Sequence, residues 1–258
     1  VKPIALITGA SGGIGYELCQ QFAKNNYDLI LVARDEEKLK KYAEEFKKNH
    51  DTKSTIILKD LSSATAADEI IKQLKHENMT VEVLVNNAGF GSYGKFAETD
   101  EKKELSMMQV NMVTLTHLTK LLLPEMLTRK SGKILNVAST AAFFPGPLMA
   151  VYYATKAYVY SFSQAIRQEL KGTGVSVTVL CPGPTRTGFE KGADLGSSKL
   201  FKKVSMDAKT VAENAFKGLI KNKALVIPGL RNKLQVFSEH FAPRNAMAGI
   251  VESAQSPM

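Results

Sequence analysis

Tyr152 and Lys156 stand four residues apart, the spacing that puts two side chains on one face of a helix. A phenol with its ordinary pKa of about 10 is a poor proton-transfer group at neutral pH, and a neighbouring ammonium favours its ionised form. Lowering such a pKa by about 3 corresponds to about 4 kcal/mol, which demands a close and partly dehydrated charge. The second chemical feature is the run Thr8-Gly9-Ala10-Ser11-Gly12-Gly13-Ile14-Gly15. Residues without a Cβ let the backbone turn tightly and approach a ligand, and a helix beginning there offers unpaired N–H groups to a phosphate. Proton transfer beside a bound dinucleotide is the chemistry these residues suggest.

Both features need a scaffold, and the rest of the chain supplies one. Ile4-Ala5-Leu6-Ile7 reads as a buried strand, and Ile14, Leu18, Cys19, Phe22 and Ala23 then recur at helical spacing. A second strand, Leu29-Ile30-Leu31-Val32, precedes a charged helix from about Glu36 to Lys48. Further strands are expected at Ser54 to Leu58, Val81 to Val85, Lys133 to Val137, Val175 to Leu180 and near Ala224 to Ile227. Apolar runs with little alternation suit a sheet covered on both faces, and strand–helix–strand repetition implies right-handed parallel units. The expected architecture is a single-domain, doubly wound α/β sheet of Rossmann type, spanning 1–252. An excursion at about 185–205, rich in Gly, Pro and Ser, would flap over a site, and 253–258 reads as a frayed tail.

Glycine spacing G-x-x-x-G-x-G, with Gly9, Gly13 and Gly15 after Thr8, resembles that of the short-chain dehydrogenase/reductase family. Four more motifs follow in the family's order: Asn86-Asn87-Ala88-Gly89 after the fourth strand, Ser139 at the end of the fifth, Tyr152 with Lys156, and Pro182-Gly183 after the sixth. The resemblance covers nearly the whole chain and implies the single-domain subclass. It implies reversible hydride transfer between a nicotinamide cofactor and a carbonyl or alcohol. Tyr152 would then be the proton donor, Ser139 would hold the substrate oxygen, and Lys156 would also bond the nicotinamide ribose. Asn111, in a long helix, would complete a catalytic group of four by anchoring a water that leads to the lysine. Tyr153 is a rival to Tyr152, being three residues before Lys156, but the Ser139 spacing favours Tyr152.

Cofactor contacts implied by the resemblance are Thr8, Gly9, Ser11, Gly13, Ile14 and Gly15 at the turn, then Asp60 and Leu61, Asn87, Ala88 and Gly89, Pro182, Gly183, Thr185 and Thr187, besides Tyr152 and Lys156. The residue closing the second strand discriminates the cofactors, because a carboxylate there binds a ribose 2′-hydroxyl and repels a 2′-phosphate. Arg34 lies there and can fork onto a phosphate, which favours NADP(H). Asp35 beside it leaves NAD(H) open. Phe90, Phe143, Phe144, Met149 and Phe189 are expected to border the nicotinamide, so the substrate would be an apolar or aromatic ketone, aldehyde or β-ketoacyl thioester. The resemblance further implies a homodimer or homotetramer built through the helices carrying Asn111 and Tyr152.

Composition narrows the classes. The 258 residues are 44% hydrophobic and 23% charged, ordinary for a globular chain and too apolar for disorder. Cys19 and Cys181 are too far apart in the pattern for a disulfide framework or zinc site, and none of the four histidines falls in a motif. Without an apolar run of about 18 residues or a signal sequence, a soluble cytoplasmic protein is expected, with no membrane span, no metal and no nucleic acid as partner. Net charge is +9, most of it between Lys199 and Lys233, where nine Lys and Arg face only Asp207 and Glu213. That segment supports a rival class, a non-catalytic protein of this fold binding an acidic partner. The complete Asn, Ser, Tyr and Lys set argues for the enzyme.

Overall fold

The computed structural model describes residues 2–189, 205–238 and 244–255. A parallel seven-stranded sheet in the order β3-β2-β1-β4-β5-β6-β9 forms its centre. The strands are β1 (Ile4–Thr8), β2 (Asp28–Ala33), β3 (Ser54–Leu58), β4 (Val83–Asn86), β5 (Gly132–Val137), β6 (Val175–Leu180) and β9 (Leu225–Val226). Two-residue strands β7 (Thr185–Arg186) and β8 (Met206–Asp207) pair with each other and stitch together the two ends of the excursion after β6. Residues 190–204, most of the expected flap and the start of the basic segment, lie outside the described residues.

Alternation along the strands divides the core into two layers. Ala5, Ile7, Leu29, Leu31, Val83 and Val85 face one side, with α1 (Gly13–Lys24), α2 (Glu36–His50) and α7 (Ala208–Ile220). Leu6, Ile30, Val32, Leu84 and Ile134 face the other, with α3 (Ala66–His76) and α5 (Leu115–Arg129). Both layers are apolar, so the strands read in sequence as unbroken hydrophobic runs. Helix α6 (Ala150–Glu169) follows β5, and α8 (Leu230–Ser238) and α9 (Arg244–Gln255) come last.

Strand order reverses between β1 and β4, so a crevice opens above their carboxyl ends, the place where such sheets bind ligands. The expected single helix around Asn111 is instead α4 (Glu101–Met108), a π-helical turn at Gln109–Thr114 and α5. Its one wider turn locally re-aims side chains, and such turns gather at functional sites. Part of the expected tail is ordered differently, and 256–258 lie outside the described residues. Residues 253–255 are helical and Gln255 is 1% exposed, so they are no frayed tail. Among the described residues, no helix is long and apolar enough to cross a membrane.

Candidate active site

The crevice holds a cavity of about 1070 Å³. Arg34, Asp35, Asp60 and Leu61 line it at the ends of β2 and β3, and the Gly9–Gly15 turn lines it above β1. Ser139, Tyr152 and Lys156 line it beyond β5. Three helices carry aspartate caps: Asp35, Asp100 and Asp207 accept from the backbone N–H of Lys38, Lys103 and Thr210 at 3.1, 2.7 and 2.8 Å. Helix α1 has neither a side-chain cap nor an acid in its first turn. Its free N–H groups and positive dipole end therefore border the cavity at Gly13 to Gly15, as a phosphate requires. Gly9 and Gly13 have φ of 68° and 55°, the left-handed region that glycine reaches without strain.

Tyr152 and Lys156 project from the first two turns of α6. Ser139, at the end of β5, faces the Tyr152 phenol across the cavity and holds its pKa down against burial, while its Oγ accepts from Ala141 N at 3.1 Å and donates to Pro182 O at 3.5 Å. Lys156 is 5% exposed, and its Nζ donates to the Val137 carbonyl at 3.0 Å while lying 5.8 Å from the centre of the Tyr152 ring. The expectation that this ammonium lowers the phenol's pKa is not met. Burial pushes Tyr152 well above its ordinary value, opposed only by Ser139. Burial also drives Lys156 down to about 8. Tyr153 is committed elsewhere, since its hydroxyl accepts from Gln255 Nε2; this separates it from Tyr152 as the partner of Ser139.

Asn111 is 1% exposed and spends its amide on protein groups. Its Oδ1 accepts from Phe90 N at 3.2 Å, and its Nδ2 donates to Phe90 O at 3.0 Å and Thr155 Oγ1 at 3.1 Å. It ties the loop after β4 to α6 and lies behind the cavity wall. A second polar chain crosses the core below. Asn86 Nδ2 donates to Thr119 Oγ1 and Asn136 Oδ1 at 3.0 and 2.9 Å, and Asn136 Nδ2 donates to Ser163 Oγ at 2.9 Å. It links α5, β4, β5 and α6.

Comparison with known proteins gives this geometry a lineage. The family model for short chain dehydrogenase matches residues 3–196, three quarters of the chain. The chain belongs to the short-chain dehydrogenase/reductase family. An uncharacterized oxidoreductase of Staphylococcus epidermidis is 30% identical over 212 residues, 82% of this chain and 88% of that one. The ketoacyl reductase HetN of Nostoc is 32% identical over 219 residues, 84% of this chain and 75% of that one. Among solved structures, a short-chain dehydrogenase from Sphingobium yanoikuyae in complex with NADPH superposes with a TM-score of 0.84 at 27% identity, covering 98% of each chain.

In this short-chain dehydrogenase the cavity gathers most of the residues expected there. Ser11, Ile14, Asn87, Ala88, Gly89, Pro182, Gly183, Thr185 and Thr187 all line it, as do Phe90, Phe144, Met149 and Phe189. Besides Asn111, two expected residues fall outside. Thr8 is buried behind the turn, where its Oγ1 donates to Val85 O at 3.2 Å and accepts from Asn87 N and Ala88 N at 3.0 Å each. It fastens the end of β1 to the end of β4. Phe143 turns away to pack at a tilt against Tyr160, with ring centres 4.7 Å apart, because the 3₁₀ turn at Thr140–Phe143 points it toward α6. Lining residues that no motif marked include Lys38, Tyr42 and Lys59 near Arg34, and Gln235, Ile250, Val251, Ala254 and Gln255 from α8 and α9. Only the spacing of Ile250, Val251 and Ala254 offered a signal, since none belongs to a motif.

Lys156 carries a measurable consequence. A lysine whose folded pKa is about 8 against 10.5 when unfolded destabilises the fold wherever both forms are charged, below pH 8. That penalty fades as pH rises to 10.5 and is absent above it. The displacement corresponds to about 3 kcal/mol. Lys156→Met removes the buried charge but leaves the Val137 carbonyl unpaired, which costs about 1–3 kcal/mol. Urea unfolding should therefore show a net gain of about 1 kcal/mol for the variant at pH 7, reversing by pH 10. Parallel stability curves for the two proteins would refute the buried charge.

Proposed function

We propose that this oxidoreductase transfers a hydride between NADP(H) and an apolar or aromatic carbonyl compound, reducing a ketone, aldehyde or β-ketoacyl thioester. The observation that carries this reading is one cavity joining the uncapped start of α1 to Ser139, Tyr152 and Lys156. Bound there, the nicotinamide would supply or accept the hydride. Ser139 holds the substrate oxygen, and Tyr152 delivers the proton to it as negative charge develops. A phenol kept protonated by burial suits the reducing direction. Lys156 holds its cation at the floor of the site, fixed by the Val137 carbonyl, and Asn111 keeps the Phe90 loop and α6 at their separation. Apolar walls from Phe144, Met149 and Phe189 exclude water from the reacting oxygen. Oxidation of NADPH across a panel of ketones, aldehydes and β-ketoacyl thioesters tests the reading, and binding without turnover would favour the acidic-partner rival.

The cofactor preference rests on the end of β2. Asp35 is engaged as the cap of α2 and pairs with Lys38 Nζ at 2.7 Å, which leaves Arg34 as the group offered to the ribose. Arg34 is well exposed and only loosely paired, 3.8 Å from Asp60. Asp60 is itself held by Ser62, whose N–H and hydroxyl donate to it at 2.9 and 2.8 Å. Arg34→Ala should weaken NADPH about 10-fold, the size of a partly exposed charge-assisted pair, and change NADH less than about 2-fold. Fluorescence titration of both cofactors decides, and tighter NADH binding by the parent protein would reverse the assignment. Exposed Leu105, Met108, Val113 and Tyr158 on α4 to α6 support self-association through those helices.

A further inference from the structure

Helix α9 contributes Ile250, Val251, Ala254 and Gln255 to the cavity wall. Positions 250, 251, 254 and 255 share one face of a helix with 3.6 residues per turn. Ile250 and Ala254 are exposed, Val251 is half-buried and Gln255 is 1% exposed, so this face lies along the cavity rim with Val251 and Gln255 turned inward. Val251 packs into the same apolar cluster as Phe144, Met149, Tyr152 and Phe189. The wall is thus continuous with the ring that would carry the proton.

The inner end of α9 is tied from two directions. Tyr93 of the loop after β4 donates its hydroxyl to the Gln255 carbonyl at 2.8 Å. The Gln255 side-chain amide donates to the hydroxyl of Tyr153, which is adjacent to Tyr152 on α6 with ring centres 6.1 Å apart. Gly146 lies flat on Tyr153, because a Cβ there would come within 2.2 Å of the ring. Two separate segments therefore converge on one glutamine, next to the reacting group but not part of it.

The geometry points to α9 as the specificity element for the reaction proposed above, an inference that rests on that reading. Its apolar face sets the room for the substituent remote from the reacting carbonyl, and the Tyr93–Gln255–Tyr153 clasp holds that face in place. The substrate class is a carbonyl compound with a bulky apolar substituent on this side. Gln255 is a positioning residue, acting through the wall and Tyr153.

Benzil and 2,3-butanedione test this, since they share a 1,2-diketone and differ by two phenyl rings. Ala254→Phe narrows the rim of the cavity and should weaken benzil binding to the NADP+ complex by about 10-fold or more, measured by calorimetry. The kcat/KM for 2,3-butanedione should stay within about 2-fold. Gln255→Ala should raise the KM for benzil about 5-fold, with kcat and NADPH affinity within about 2-fold, a split that general damage to the fold would not give. The inference is overturned if the parent does not bind benzil, if Ala254→Phe binds it as the parent does, or if both diketones suffer alike. It is equally overturned if Gln255→Ala leaves the benzil KM unchanged. Failure of the reductase reading shows separately, as bound benzil without NADPH oxidation, and the calorimetric comparison of Ala254→Phe still stands.

Discussion

A Tyr152→Phe variant should lose carbonyl turnover by about 10³-fold, within the range that a general acid contributes, and bind NADPH as the parent does. The substitution removes one hydroxyl and keeps the ring, which packs against Phe189 with centres 5.3 Å apart and against Tyr153. The wall and the α1 turn are untouched, so cofactor affinity has no reason to change. What disappears is the hydroxyl proposed to protonate the substrate oxygen. Turnover followed by NADPH absorbance, with affinity from fluorescence titration, separates the two quantities. A variant keeping more than about a hundredth of parental kcat would remove Tyr152 from its role.

Gly15→Ala should be nearly as damaging through a different route. A Cβ on Gly15 would lie 2.1 Å from the Gly9 carbonyl oxygen and 2.6 Å from Asn87 Nδ2. Backbone cannot rotate aside as a side chain does, so α1 must shift away from the turn and carry its phosphate-facing N–H groups with it. Overpacking of this kind costs about 1–3 kcal/mol, or about 2–12 °C in Tm for a chain of this size. NADPH affinity should fall by about 10-fold or more, because a misplacement near 1 Å spoils oriented contacts. Gly12→Ala is the control: nothing lies within 4 Å of its Cβ and its φ of 168° is ordinary extended backbone. Equal Tm and affinity for Gly15→Ala and the parent would contradict the close approach.

The sheet was legible because its strands are covered on both faces, so Ala5 to Thr8 and Leu29 to Ala33 are buried without a break. The glycine turn was legible because its residue types are a steric necessity. Thr8 was not, since the same residue suits a phosphate contact or a strand fastener, and only the position of Asn87 and Ala88 decides between them. The π-helical turn at Gln109–Thr114 leaves a helical pattern almost unchanged and so escapes a reading by period. Gln255 fell in the stretch expected to fray; it is instead held by Tyr93, 162 positions away, and by Tyr153. The acidity of Tyr152 was misjudged because pair spacing predicts a neighbouring charge and says nothing of how dry the pair will be.

The Asn86–Asn136–Ser163 chain has a consequence for how the molecule can breathe. It bolts the two central strands to the helices behind them, and parting any pair would strand a buried amide, at about 1–3 kcal/mol each. Ser139 rides the end of one bolted strand and Tyr152 the start of one bolted helix, so their spacing belongs to the stationary half of the protein. The clasped wall at the other end has no such anchorage in the sheet. The separation of Ser139 and Tyr152 is thereby held like the fixed jaw of a vice, while the wall that α9 lends the cavity hangs from side chains of a loop and a helix.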